Sequence, residues 1–161
     1  MAVRNRSTGT AARPITIGVS GHRVRLPLAP ARVRRIVRSV LRGERRAGGR
    51  ITRVINGFNV TFLGPVAIRR LNHEWKGHDL PTDVLSFALG SPAGGVTGDV
   101  YICAAMARSA ARAHALPVRE ELVRLVVHGT LHVLGYDHPE GPRRTRSLMW
   151  LRQEHYVKAL A

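Results

Sequence analysis

The 161-residue sequence predicts an α+β fold, a small mixed sheet of about four strands covered by several helices. Three observations lead there. Short strand-like apolar runs fall mostly early in the chain, whereas amphipathic or Ala-rich helical stretches fall mostly late. One late helix is apolar on nearly every side, which makes it central and buried. No internal repeat and no long linker divides the pattern, and a chain of this length buries roughly 70% of its unfolded surface around one core. Residues 14–161 are therefore expected to form a single domain, preceded by a flexible basic arm over residues 1–13.

Each element has a local reason. Alternation of Ile15, Ile17 and Val19 after Pro14 marks a strand. From Pro30 to Arg46 the stripe Val33, Ile36, Val37, Val40, Leu41 has helical spacing, with arginines over much of the remaining surface. Ala47-Gly48-Gly49 ends that helix. A β segment follows within Ile51 to Leu63, interrupted at Asn56-Gly57, and Gly64-Pro65 opens a short helix to about His73. Trp75 to Pro81 is expected as a loop. Val84 to Phe87 and Asp99 to Cys103 read as two strands joined like a hairpin by a nine-residue loop. Ala104 to Leu116 is helical, and Pro117 suits the first turn of the next helix, which Gly135 terminates. A last helix lies between Pro142 and Leu160.

Charge is distributed unevenly. The chain carries 26 Lys or Arg against 10 Asp or Glu, a net +16. Residues 1–73 hold 16 of the basic side chains and a single acid, Glu44, whereas the remainder is nearly balanced. Such a field implies a polyanionic partner: nucleic acid, a ribonucleoprotein surface or an anionic membrane. The excess of Arg over Lys, 24 to 2, also fits high-GC coding, although that bias would spread evenly. No run reaches the ~18 apolar residues of a membrane span, and the N-terminus lacks a secretory apolar core. One cysteine forbids an internal disulfide and points to a reducing compartment.

The segment His128-Gly129-Thr130-Leu131-His132, continuing to His138, carries the chemistry. On a helix His128 and His132 stand one turn apart on one face. Gly135 lets the chain turn, so that His138 can return as a third ligand. Three imidazoles leave a tetrahedral Zn²⁺ one open position, which catalysis needs and a structural site lacks. At 100° per residue His128 and His132 share a narrow polar arc with Glu121 and Arg124. Apolar residues fill the rest, so that arc must face a cavity, a partner or a metal. Gly129 stands where metalloproteases of the H-E-x-x-H type place their general base, which disfavours peptidase chemistry. Asp137 either accepts an imidazole N–H or caps the following turn. His22, His73, His114 and His155 read as ordinary surface or core histidines, and Cys103 as a small buried hydrophobe.

HGTLHVLGYDH resembles the signature of the YbeY family, bacterial-type endoribonucleases of ribosomal RNA maturation. Leu71-Asn72 with Leu80-Pro81-Thr82-Asp83-Val84-Leu85-Ser86-Phe87 resembles the family's LN…PTDVLSF segment, and Gly98-Asp99-Val100 its G-D-I/V strand. The likeness spans about residues 71–138. It implies a small mixed sheet with several helices, and His128, His132 and His138 holding one Zn²⁺. It further implies a cytoplasmic, single-strand-type endoribonuclease acting on RNA of the small ribosomal subunit, in maturation and quality control, with no membrane role. The family places a basic residue, usually Arg, before PTDVLSF; here it is Lys76, which keeps the charge without the planar fork. Trp75 beside it either stacks on a base or packs on the sheet. Two other readings stand beside this one: an RNA or ribosome assembly factor with a structural metal, and a metal hydrolase of another ester or amide.

Overall fold

A computed structural model describes residues 15–46, 54–90 and 94–161. The basic arm expected over 1–13 and the helix terminator expected at 47–49 lie outside them. Strand β1 (Thr16–Gly21) leads through helix α1 (Pro30–Arg46) to β2 (Ile55–Leu63), which pairs parallel to β1. Helix α2 (Pro65–Lys76) then carries the chain to the hairpin of β3 (Val84–Gly90) and β4 (Val96–Cys103). Helices α3 (Ala104–Ala113), α4 (Val118–Val133) and α5 (Leu148–Leu160) complete the domain, with a single 3-10 turn (Gly141–Arg146) before α5. The sheet order is β1-β2-β4-β3, with β2 and β4 parallel and only the β3 edge antiparallel, so the expected mixed four-stranded α+β sheet is what the chain forms.

Apolar alternation along the strands sets the layers. Ile17, Phe58, Val60, Phe62, Val100 and Ile102 project into the main core, where they meet the stripe of α1 and most of α4. A smaller cluster of Leu63, Ile68, Leu85 and Cys103 lies under α2. Cys103 is fully buried there, the small hydrophobe that its strand-end position suggested.

Four boundaries differ from the sequence reading, each for an identifiable reason. Asn56-Gly57 does not break β2; the register shifts between Ile55 and Gly57, and Asn56 donates its amide N–H to the Gly94 carbonyl at 2.6 Å. The residues expected as a loop from Trp75 begin inside α2, which continues to Lys76 and stops at Gly77, whose left-handed φ of 72° frees its N–H for the last carbonyls. The hairpin connection is residues 91–95, shorter than nine, because both strands extend past their apolar centres. The final helical stretch is split at Ser147, whose hydroxyl caps α5 by accepting the Trp150 N–H at 3.1 Å.

Helix α4 packs on β3 and β4 and is flanked by α1, α3 and α5. Its approach to the sheet is close. A Cβ on Gly129 would stand 2.5 Å from Val100 Cγ1 and 3.0 Å from Ser86 Oγ; one on Gly98 would stand 2.6 Å from Val133 Cγ1. In an ordinary exposed helix Gly→Ala stabilises by up to about 1 kcal/mol. Here the sign reverses: Gly129→Ala is expected to destabilise the fold by about 1–3 kcal/mol, seen as a lower midpoint in urea-induced unfolding with unchanged slope.

Candidate metal centre

The polar arc of α4 finds its partner in α5. His128 is buried, and its Nδ1 lies 2.7 Å from Gln153 Oε1. Gln153 is itself 1% exposed, and its amide N–H donates to Glu154 Oε1 at 2.9 Å, which leaves the amide oxygen to accept from His128. Glu154 is fixed by Arg124, which also bridges Glu120 and Glu121. The charged end of the arc therefore orients the amide that orients the imidazole.

The other two rings are held by backbone. His132 Nδ1 lies 3.0 Å from the Tyr136 carbonyl, and His138 Nδ1 lies 3.2 Å from the Pro139 carbonyl. A carbonyl oxygen only accepts, so in all three rings the proton sits on Nδ1 and the Nε2 lone pair is left open. One ring nitrogen of each histidine lies within 4.8 Å of the other two, and the Nε2 atoms of His128 and His132 are 3.0 Å apart. Two nitrogens on one tetrahedral zinc are about 3.3 Å apart. Three imidazoles whose ring nitrogens come this close are a donor set that a borderline-soft divalent ion fits, and these three form such a group among the described residues.

Electrostatics agree with the geometry. Burial, with His132 next, pushes His128 down to about 3, against the opposing pull of Gln153; the charges of Arg144 and His138 add to the depression. Burial and His138 also lower His132, and Lys76 contributes in the same direction. His128 thus stays neutral and able to ligate well below neutral pH, and the shift of His132 runs in the same direction.

The remaining sequence candidates occupy distinct places. Asp137 Oδ1 accepts the His138 backbone N–H at 2.8 Å, a turn-capping contact, while its charge acts on His132. Lys76 is exposed in the last turn of α2, and its charge reaches His132. Trp75 tilts against Phe87 with ring centres 5.5 Å apart, yet stays 59% exposed. His22, His73, His114 and His155 are exposed and outside the group.

Sequence reasoning missed the supports. Besides Gln153, the carboxyl of Glu44 is wholly buried on α1 and accepts hydrogen bonds from the hydroxyls of Tyr136 and Tyr156, the latter at 2.8 Å. Burial, reinforced by that bond to Glu44, pushes the Tyr156 hydroxyl up, which keeps it a donor. Tyr136 thus binds α1 through its hydroxyl and His132 through its carbonyl.

Fold and site together define a mixed-sheet α+β protein with a three-histidine group able to hold a metal. The profile of the family described as endoribonuclease YbeY matches residues 23–161. A protein named endoribonuclease YbeY from Persephonella marina is 37% identical over 100 residues, covering 60% of this chain and 65% of the relative. A second of that name, from a Sulfurihydrogenibium species, is 39% identical over 103 residues, covering 62% and 68%. The solution structure of TM1509 from Thermotoga maritima superposes with a TM-score of 0.55 at 28% identity, covering 90% of this chain and 89% of that one. The chain belongs to the YbeY family.

Two outcomes follow from this geometry. Gln153→Leu strands the His128 N–H and is expected to weaken zinc binding about 10–100-fold, read by competition with a chromophoric chelator. In the metal-free protein, an unfolded His128 takes up a proton near pH 6.5, but the folded one does so only near 3. Stability from this group is therefore complete above pH 6.5 and lost as pH falls toward 3, about 2 kcal/mol by pH 5. Denaturant titrations at pH 7.5 and 5 measure it, and His128→Asn should flatten the difference.

Proposed function

We propose that this chain is a metal-dependent endoribonuclease of ribosomal RNA maturation, acting in the cytoplasm on RNA of the small ribosomal subunit and holding one Zn²⁺ on His128, His132 and His138. The observation that carries the reading is the set of three Nδ1–H groups tied back to oxygen acceptors, which leaves three open nitrogens facing one point. The names of the Persephonella and Sulfurihydrogenibium relatives supply the reaction class.

Bound at these nitrogens, zinc would supply Lewis acidity toward a phosphodiester. The chain's own residues account for the rest. Gln153 and the two carbonyls hold the rings in the neutral tautomer that ligation requires. Lys76, whose charge reaches His132 from the end of α2, steadies negative charge growing on a phosphoryl oxygen. Gly129 excludes a helix-borne general base, because its side of α4 is pressed against Val100. Exposed Arg35, Arg38 and Arg42 on α1 give the RNA backbone a cationic surface.

A second reading, a ribosome assembly factor with a structural metal, is favoured by one observation: Lys76 stands where the family usually has Arg. It predicts that a variant lacking all three histidines still supports ribosome maturation.

His132→Ala is expected to lose zinc and abolish cleavage of a 5′-labelled single-stranded RNA. Lys76→Ala should keep its zinc and slow cleavage on the order of 10–100-fold. Wild-type protein with stoichiometric zinc that leaves such RNA intact overturns the proposal.

A further inference from the structure

Arg144 is the one basic side chain of the 3-10 turn that is not exposed; Arg143 and Arg146 on either side are. The turn joins the loop bearing His138 to α5, which bears Gln153. Its backbone is fixed, since the Arg144 carbonyl accepts from the Ser147 N–H at 3.1 Å and the Ser147 hydroxyl at 2.7 Å, and that hydroxyl caps α5. The guanidinium carbon lies 5.9 Å from the centre of the Trp150 ring. Trp150 and Gln153 are three apart on α5 and share a face, so the aromatic neighbour of Arg144 lies one helical turn from the residue that holds His128, and the Arg144 charge acts on that imidazole.

Its hydrogen-bonding capacity is unspent. Arg144 Nε is buried with no partner, and among the described residues no carboxylate pairs with this guanidinium. Arg124, on the other side of Gln153, is held by three carboxylates. Arg32 also has an unpartnered buried Nε, yet it donates Nη2 to the Leu160 carbonyl at 2.6 Å, a structural bond between α1 and the chain end. A buried Nε with no acceptor costs free energy that an arriving anion would recover, and the Arg144 charge already acts on His128. A guanidinium held at cation–π distance from an indole keeps N–H groups for the oxygen acceptors of a phosphate.

We propose that Arg144, beside Trp150, is a phosphate-binding residue that takes a backbone phosphate of the RNA strand beside the three-histidine site. This rests on RNA being the substrate and extends it by assigning a second cation, besides Lys76, to the strand.

The test is fluorescence anisotropy of a labelled single-stranded oligoribonucleotide across a salt series, with zinc-loaded wild type, Arg144→Gln, Arg144→Lys and, as a control at an exposed arginine of α3, Arg108→Gln. Arg144→Gln is expected to bind about tenfold more weakly. Its slope of log affinity against log salt should be shallower by about 0.7, the loss of one single-strand phosphate contact. Arg144→Lys should recover the slope and part of the affinity, Arg108→Gln should match wild type, and all four should keep their zinc and melting temperature. Millimolar inorganic phosphate at constant ionic strength should leave wild-type affinity unchanged; competition confined to wild type would mark a free-phosphate site and overturn the RNA assignment. Arg144→Gln binding with wild-type affinity and slope overturns this proposal and leaves the endoribonuclease reading standing. Loss of zinc or a lowered melting temperature in that variant makes Arg144 structural and also overturns it. Wild-type protein that neither binds nor cleaves RNA sinks both.

Discussion

Helix α4 lies on β3 and β4 with no side chain at position 129 to keep it off Val100, and the rest of the structure answers to that contact. Pressed to the sheet and flanked by three helices, α4 has one arc of its circumference left for polar groups. His128 and His132 fall on that arc by helical spacing, and α5 meets the arc through Gln153. The identity of the residue after the first histidine is thus a packing decision with a chemical result. A glutamate there would be driven into the sheet, so whatever base the reaction employs does not come from that turn.

The three rings are then aligned from outside. An amide and two backbone carbonyls each take one Nδ1–H, and two of these acceptors are themselves anchored: Gln153 through Glu154 and Arg124, and Tyr136 through Glu44. Orientation of ligands by such outer contacts is what raises their basicity and fixes their tautomer. The anchors come from α1, α4 and α5, so the geometry of the site is a property of the assembled helices.

Legibility in the sequence followed the range of the interaction. The stripe of α1 and the one-turn spacing of His128 and His132 are local, and both elements form over nearly the expected residues. The bulge at Asn56 and the extra turn of α2 through Trp75 and Lys76 depend on a partner strand and on the conformation of Gly77, for which periodicity carries only an indirect sign. Gln153 was hidden because its role exists only once α5 packs 25 residues away from His128, and a backbone carbonyl has no letter of its own. Glu44 had left a trace: it continues the spacing Val33, Val37, Val40, Leu41 one turn further, which puts an acid on the buried side of a helix.

That placement removes the only carboxylate of residues 1–73 from the surface altogether. Among the described residues of this half, Arg69 alone meets a carboxylate, and Asp79 belongs to the other half. The guanidinium groups of α1 consequently pair with no carboxylate among the described residues and gather small ions from solution. A polyanion settling on this face sets those ions loose, as its own condensed cations are set loose, so that the gain in translational entropy of salt becomes a driving force for association.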